Sequence, residues 1–243
     1  HELMGAGLLH PDTKTVAKGG LDLYTQEPKL RDGELVWEQG AGKSLNTKIV
    51  RPAADPFQAT GGLKRLSGSL GNAVMKVSAV KPEHQIIEAP VRVFHDQEEV
   101  KAACKAGEIT EDTVVVVRFQ GPKANGMPEL HSLTPMLKNL QAKGLNVALV
   151  TDGRMSGASG SVPAAIHVSP EALDGGAIAK LKDGDVVRVD SVLGDLQILT
   201  AGVLERDVAT ADLSGNEYGL GRELFAGFRR SVGTADTGAC VFF

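Results

Sequence analysis

Cysteine, aromatic residues and long hydrophobic runs are all scarce in this sequence. Two cysteines, Cys104 and Cys240, stand in 243 residues. Two thiols build no disulfide framework for a chain of this size, and an iron–sulfur cluster wants about three or four thiolates, so the chain alone supplies neither. No stretch approaches the roughly 18 apolar residues of a membrane span, and no charged-then-apolar leader opens the chain. A soluble protein of the reducing cytoplasm is the expectation. Positive charge is not in excess either: 26 Lys plus Arg against 30 Asp plus Glu leave a net charge of -4. There is no global field to hold a nucleic acid, so any anionic ligand must be held locally. The six histidines, His1, His10, His84, His95, His131 and His167, show neither the His-x-x-x-His nor the Cys-His spacing of a zinc site.

What is present is 42% hydrophobic and 23% charged residues, ordinary globular usage and enough to bury a sizeable core. The chain opens His1-Glu2-Leu3-Met4, inside an apolar helical face that runs to Leu9. This reads as a piece of a longer protein. Residues 1–55 carry many turn formers, among them Gly19-Gly20, Asp32-Gly33 and Gly40-Ala41-Gly42, and are expected to be a connector. Residues 56–243 are expected to form one domain. Within it, β-branched runs at 73–80, 89–94, 113–119, 146–151, 186–190 and 196–199 predict strands. Amphipathic stretches at 96–106, 128–143 and 223–232 predict helices, the second with Pro128 at its first position and Gly144 at its stop. Alternating strand and helix over 89–151 imply a parallel arrangement, and the Gly194-Asp195 turn adds antiparallel pairing. The economical fold is α/β, a mixed sheet curled into a barrel with helices outside.

Two glycine-rich loops follow the most apolar strands: Gly121-Pro-Lys-Ala-Asn-Gly-Met-Pro-Glu129 and Asp152-Gly-Arg-Met-Ser-Gly-Ala-Ser-Gly160. Loops beyond parallel strand ends converge on a common crevice. In the first, Lys123 and Glu129 are the ionisable groups. Glu129 either complements a helix dipole or offers oxygen to a hard divalent cation. In the second, Arg154 and Ser156 stand among glycines whose N–H groups could approach an anion, or the stretch is simply a tight turn. A serine-hydrolase elbow does not fit, because Arg154 and Ala158 occupy the glycine positions. Gly40-Ala-Gly-Lys-Ser44 is not a phosphate loop, because Trp37 stands where the first glycine is needed. Gly61-Gly-Leu-Lys-Arg-Leu-Ser-Gly-Ser-Leu-Gly71 is a third glycine-rich stretch, either pairing Lys64 and Arg65 with a phosphate or forming a solvated basic turn.

Together the loop motif 121–130, Thr151-Asp-Gly-Arg-Met-Ser-Gly-Ala-Ser-Gly160 and Val162-Pro-Ala-Ala-Ile-His-Val168 closely resemble the dihydroxy-acid and 6-phosphogluconate dehydratase family. The resemblance runs from Gly7-Leu-Leu-His10 to Gly221-Arg-Glu-Leu-Phe225 and is to the C-terminal portion of such proteins. Lys123-Ala-Asn-Gly126 and Leu66-Ser-Gly-Ser-Leu-Gly-Asn-Ala73 favour the 6-phosphogluconate branch. The resemblance implies a hydro-lyase acting on a phosphorylated sugar acid, a [4Fe-4S] cluster, and Mg2+ or Mn2+. It also implies a missing N-terminal α/β domain that carries the cluster cysteines, a C-terminal barrel of the swivelling type, and a homodimer at full length. Carried over by motif, Ser156 is the base and Glu129 a metal ligand. Lys123, Arg154, Lys64 and Arg65 are candidate substrate contacts from their local charge. Another sugar-acid or dihydroxy-acid dehydratase, or a non-catalytic binding module, are the alternatives.

Overall fold

Residues 114–117 are four consecutive valines, and a strand turns alternate side chains to opposite faces, so such a run must be buried on both. In the computed structural model, which describes residues 1–156 and 160–242, it is. Val114 and Val116 point into one apolar cluster with Ala148, Val150 and Ala165. Val115 and Val117 point into a second cluster with Leu133, Leu137, Leu149 and Val100. The first cluster is the interior of a barrel, and the second is the layer between barrel and helices.

The chain divides into two compact units, His1–Thr60 and Gly61–Phe243. The first holds a short helix α1 (Glu2–Gly5) and an antiparallel hairpin of β1 (Gln26–Arg31) and β2 (Glu34–Gln39). The hairpin turns through Asp32 and Gly33, both at positive φ. None of residues 1–60 is buried. Pro28, Leu30, Leu35 and Trp37 share one hairpin face, because Pro28 pairs with Trp37 and Leu30 with Leu35.

The second unit is a closed barrel of eight strands: β3 (Leu63–Gly68), β4 (Gly71–Lys76), β5 (Ile86–Phe94), β6 (Thr113–Val117), β7 (Val147–Thr151), β8 (Ala164–Ser169), β9 (Val186–Asp190) and β10 (Asp195–Ile198). The order around it is β10-β3-β4-β8-β7-β6-β5-β9. Strands β5 to β8 pair in parallel, while β4 with β8, β3 with β4, β5 with β9 and β9 with β10 are antiparallel. The mixed barrel with outer helices expected from the pattern is therefore the fold.

Two helices cover the parallel side. Helix α2 (Gln97–Ala106) starts at Asp96, whose carboxylate accepts the Glu98 N–H at 2.7 Å, and stops at Gly107 in the left-handed region. It buries Val100 and Ala103. Helix α3 (Thr134–Ala142) buries Leu137 and Leu140 and follows a 3-10 turn at His131–Leu133. It does not begin at Pro128: Glu129 is extended and bridges to Arg154, which holds that stretch out of the helix. The last predicted helix is a 3-10 turn (Arg222–Phe225) leading into α4 (Ala226–Ser231). Among the described residues no helix is long and apolar enough to cross a membrane.

Candidate active site

Because β6, β7 and β8 run parallel, the loops that follow them leave from one end of the barrel. Asp152, the first residue after β7, ties these loops together. Its fully buried carboxylate accepts the N–H of Phe119 at 3.1 Å, of Gln120 at 2.9 Å and of Ala172 at 2.9 Å. Burial pushes the Asp152 pKa up and the backbone donors pull against it. Glu171, after β8, accepts the N–H of Lys123 at 2.9 Å and of Ala124 at 3.3 Å, so it holds the loop after β6. Desolvation raises its pKa to about 7. A side chain at Gly121 would collide with the Glu171 carboxylate, and a Cβ at Gly153 would meet the Gln120 Cβ at 2.7 Å. Both glycines are thus needed for close approach rather than for flexibility.

The rest of the first loop is braced in the same way. Gln120 donates from its amide to the His95 carbonyl at 2.7 Å, and Asn125 donates to the Gln120 amide oxygen at 3.0 Å. Arg222 donates to the Asn125 side-chain oxygen at 2.7 Å. Beneath them Arg118 is buried, with no carboxylate partner among the described residues. Its guanidinium donates to the carbonyls of Ala179 and Leu181, each at 3.0 Å, and to His95 Nε2 at 3.2 Å. Burial, then the charge of Arg118, lowers the His95 pKa and favours the neutral ring that accepts this bond.

On this frame the two loops meet. The Ser156 N–H donates to Glu129 Oε1 at 2.6 Å, and the Leu130 N–H donates to the Arg154 carbonyl at 3.1 Å. Arg154 donates from Nε to the Met127 carbonyl at 2.7 Å, and its Nη1 lies 3.6 Å from Glu129 Oε2. Ser156, Glu129 and Arg154 are therefore one cluster, with Ser156 and Arg154 exposed. Gly157, Ala158 and Ser159 of the second loop lie outside the described residues.

The other expected contacts lie elsewhere. The Lys123 ammonium is 2.8 Å from the Asp174 carboxylate. Lys64 and Arg65 stand in β3 rather than in a turn, and adjacent strand residues face opposite sides. Lys64 donates to the Val192 carbonyl at 3.1 Å, while Arg65 donates to Asn72 Oδ1 at 3.2 Å. Asp152, Glu171, Gln120 and Arg222 were not singled out from sequence. An acidic residue directly after a parallel strand that is apolar but for its last residue, Thr151, as Asp152 is, was the available signal.

Among the described residues no group of three or more His, Cys, Asp or Glu side chains is arranged to hold a metal ion. Cys104 is half-buried on α2, where burial raises its pKa, and Cys240 lies near the C-terminus. Two thiols are too few to build a cluster site from this chain alone. Glu129 can offer one carboxylate oxygen to a divalent cation, and no more.

The family model described as Dihydroxy-acid/6-phosphogluconate dehydratase C-terminal matches residues 48–239. The chain belongs to this family. The phosphogluconate dehydratase of Pseudomonas aeruginosa is 59% identical over 243 residues, covering 99% of this chain and 40% of that protein. That of Escherichia coli K12 is 53% identical over 245 residues, covering 100% and 41%. A dihydroxy-acid dehydratase of Caldanaerobacter subterraneus is 41% identical over 194 residues, covering 78% and 32%. The chain thus spans about 40% of the length of its phosphogluconate dehydratase relatives. The hairpin of β1 and β2 lies outside the stretch that the family model matches.

Proposed function

We propose that this chain is the C-terminal part of a phosphogluconate dehydratase, a cytoplasmic hydro-lyase converting 6-phospho-D-gluconate to 2-dehydro-3-deoxy-6-phospho-D-gluconate in the Entner–Doudoroff route. The meeting of Ser156 and Glu129 carries the reading, since it joins a nucleophilic oxygen and a cation-binding oxygen at one loop mouth. The phosphogluconate branch is favoured over the dihydroxy-acid branch because its members match the chain end to end.

In this reading Ser156 Oγ takes the proton from C2 of the sugar acid. The electrons of that C–H bond form the C2–C3 double bond and the C3–O bond breaks; the departing hydroxide then takes the proton from Ser156 Oγ and leaves as water, returning that oxygen to the alkoxide form in which it entered. The enol then becomes the 2-keto acid. Arg154 faces the substrate carboxylate, and Lys123 would reach substrate by exchanging its Asp174 partner. A [4Fe-4S] cluster and Mg2+ or Mn2+ would be held chiefly by the part of the protein that this chain does not span, with Glu129 giving one oxygen to the cation. The chemistry such groups supply is Lewis acidity at the departing hydroxyl and at the carboxylate.

The test is dehydration of 6-phosphogluconate by the full-length protein and by its Ser156→Ala variant. We expect the variant to lose activity by about 100-fold or more while the cluster absorption is retained, and the 243 residues alone to be inert. A fully active Ser156→Ala enzyme removes the base, and a full-length protein inert on this substrate removes the function.

A further inference from the structure

A cavity of about 520 Å³ opens beside the candidate site and is not used by the chemistry above. It is lined by Arg65, Asn72, His167 and Asp236, with Ala73, Val74 and Ala235. Its volume is ordinary for a small-ligand pocket, about 300–1,000 Å³.

Three observations point to a ligand. First, β8 carries a bulge here: Asn72 pairs with Ser169 and Val74 with Ile166, so two steps on β4 face three on β8. The inserted stretch includes His167, whose φ is 58°. A non-glycine residue in the left-handed region inside a strand is a strained choice, and bulges re-aim side chains next to active sites. Here the bulge brings His167 to the cavity wall. Second, the bulge is tied to the candidate site, because the His167 N–H donates to the Gly153 carbonyl at 2.9 Å. Its ring also feels the charge of Arg154, which together with the larger effect of burial keeps it neutral.

Third, the polar groups are ordered by charge. Arg65 donates to Asn72 Oδ1 at 3.2 Å, and Asn72 Nδ2 donates to Asp236 Oδ2 at 3.2 Å. A cation, an amide and a carboxylate thus follow one another along one wall. Asp236 stays ionised, held by the Thr234 hydroxyl at 2.7 Å and by Asn72. A carboxylate and an amide side by side suit hydroxyl groups, each of which donates and accepts. A guanidinium suits a phosphate, which the carboxylate would repel. A plain alkyl tail would gain nothing from these groups, which already pair with one another, and would cut them off from water.

We propose that this cavity holds the hydroxylated, phosphate-bearing tail of the sugar acid, with the phosphate at Arg65 and the tail hydroxyls at Asn72, His167 and Asp236. The inference rests on the proposed dehydratase function and assigns its substrate selectivity to the wall between β3, β4 and the turn Ala235–Thr237.

The experiment measures KM and kcat of the full-length enzyme for 6-phosphogluconate and for gluconate. For Arg65→Ala we expect KM for the phosphorylated acid to rise about 10- to 100-fold, against a much smaller change for gluconate. Arg65→Lys should restore part of the difference. Asp236→Ala should raise KM for both acids alike. Lys105→Ala, on the outer helix, should leave the ratio of the two KM values as in the wild type. Arg65 is exposed, so unfolding is not the expected effect, and a thermal melt checks this. An unchanged ratio in Arg65→Ala, with the wild type active, overturns the subsite and leaves the dehydratase reading standing. A wild type inactive on 6-phosphogluconate overturns both.

Discussion

Glu171 accepts the backbone N–H of Lys123 at 2.9 Å, so a residue following β8 fixes the loop that follows β6. Desolvation is the largest influence on this carboxyl group and lifts its pKa from the ordinary 4.5 to about 7. The folded protein therefore holds the proton more tightly than the unfolded chain does. Stability contributed by the protonated group is full below about pH 4.5 and declines as pH rises to about 7, by on the order of 3 kcal/mol. Urea unfolding between pH 5 and 8 should show this slope, and Glu171→Gln should flatten it. A variant with the wild-type slope would mean that another group titrates.

Asp152 makes a different prediction, since its carboxylate receives three backbone donors from two loops. Asp152→Asn puts an NH2 against at least one N–H. We expect a loss on the order of 3 kcal/mol of stability, one unsatisfied buried donor plus the weakening of its neighbours. Hydrogen exchange at Phe119, Gln120 and Ala172 should accelerate together. Acceleration at only one of them would show that the loops are not coupled through this residue.

How far the sequence revealed this arrangement differs from element to element. The valines of β6 and the apolar run of β7 were readable because strands buried on both faces have no polar alternation to confuse with a loop. By contrast β3 hides inside a glycine-rich stretch, because it closes the barrel with only Leu66 buried. Strand β8 begins Ala164-Ala165, residues with weak preference for strands, so burial in the barrel decides it. The hairpin of β1 and β2 lies within the turn-rich stretch that reads as a connector, although Asp32-Gly33 is a two-residue hairpin signal. At the site, the convergence of the two loops is legible from the parallel strand ends, whereas the roles of Ser156 and Glu129 rest on the family resemblance alone. Reading Pro128 as a helix start even placed Glu129 on the wrong element, since its partner in the bridge lies 25 residues further along the chain.

Gly121→Ala tests whether loop placement governs the chemistry. The added methyl group runs into the Glu171 carboxylate, which is itself held by two N–H groups and cannot swing away freely. The loop must shift, and with it Glu129. We expect a loss of about 1–3 kcal/mol in stability together with a fall in kcat of the full-length enzyme. Gly144→Ala, at a helix stop with nothing near its position, should cost stability through its positive φ alone and spare kcat. Equal losses of kcat in both variants would count against a role for loop position.

Glu129 and Ser156 can be separated by what each substitution keeps. The bond between them uses the Ser156 backbone N–H, so Ser156→Ala preserves it and Glu129 stays where it is. Glu129→Gln removes the charge that would attract a divalent cation, while retaining an oxygen for the Ser156 N–H. In the full-length enzyme, Glu129→Gln should therefore raise the Mg2+ or Mn2+ concentration needed for half-maximal binding by about tenfold or more. Ser156→Ala should leave that concentration within about twofold of the wild type and abolish turnover instead. Calorimetric titration of the cation reads the first effect without relying on activity. Unaltered cation affinity in Glu129→Gln would take this residue out of the metal site, leaving its contact with Ser156 as a purely structural tie between the two loops.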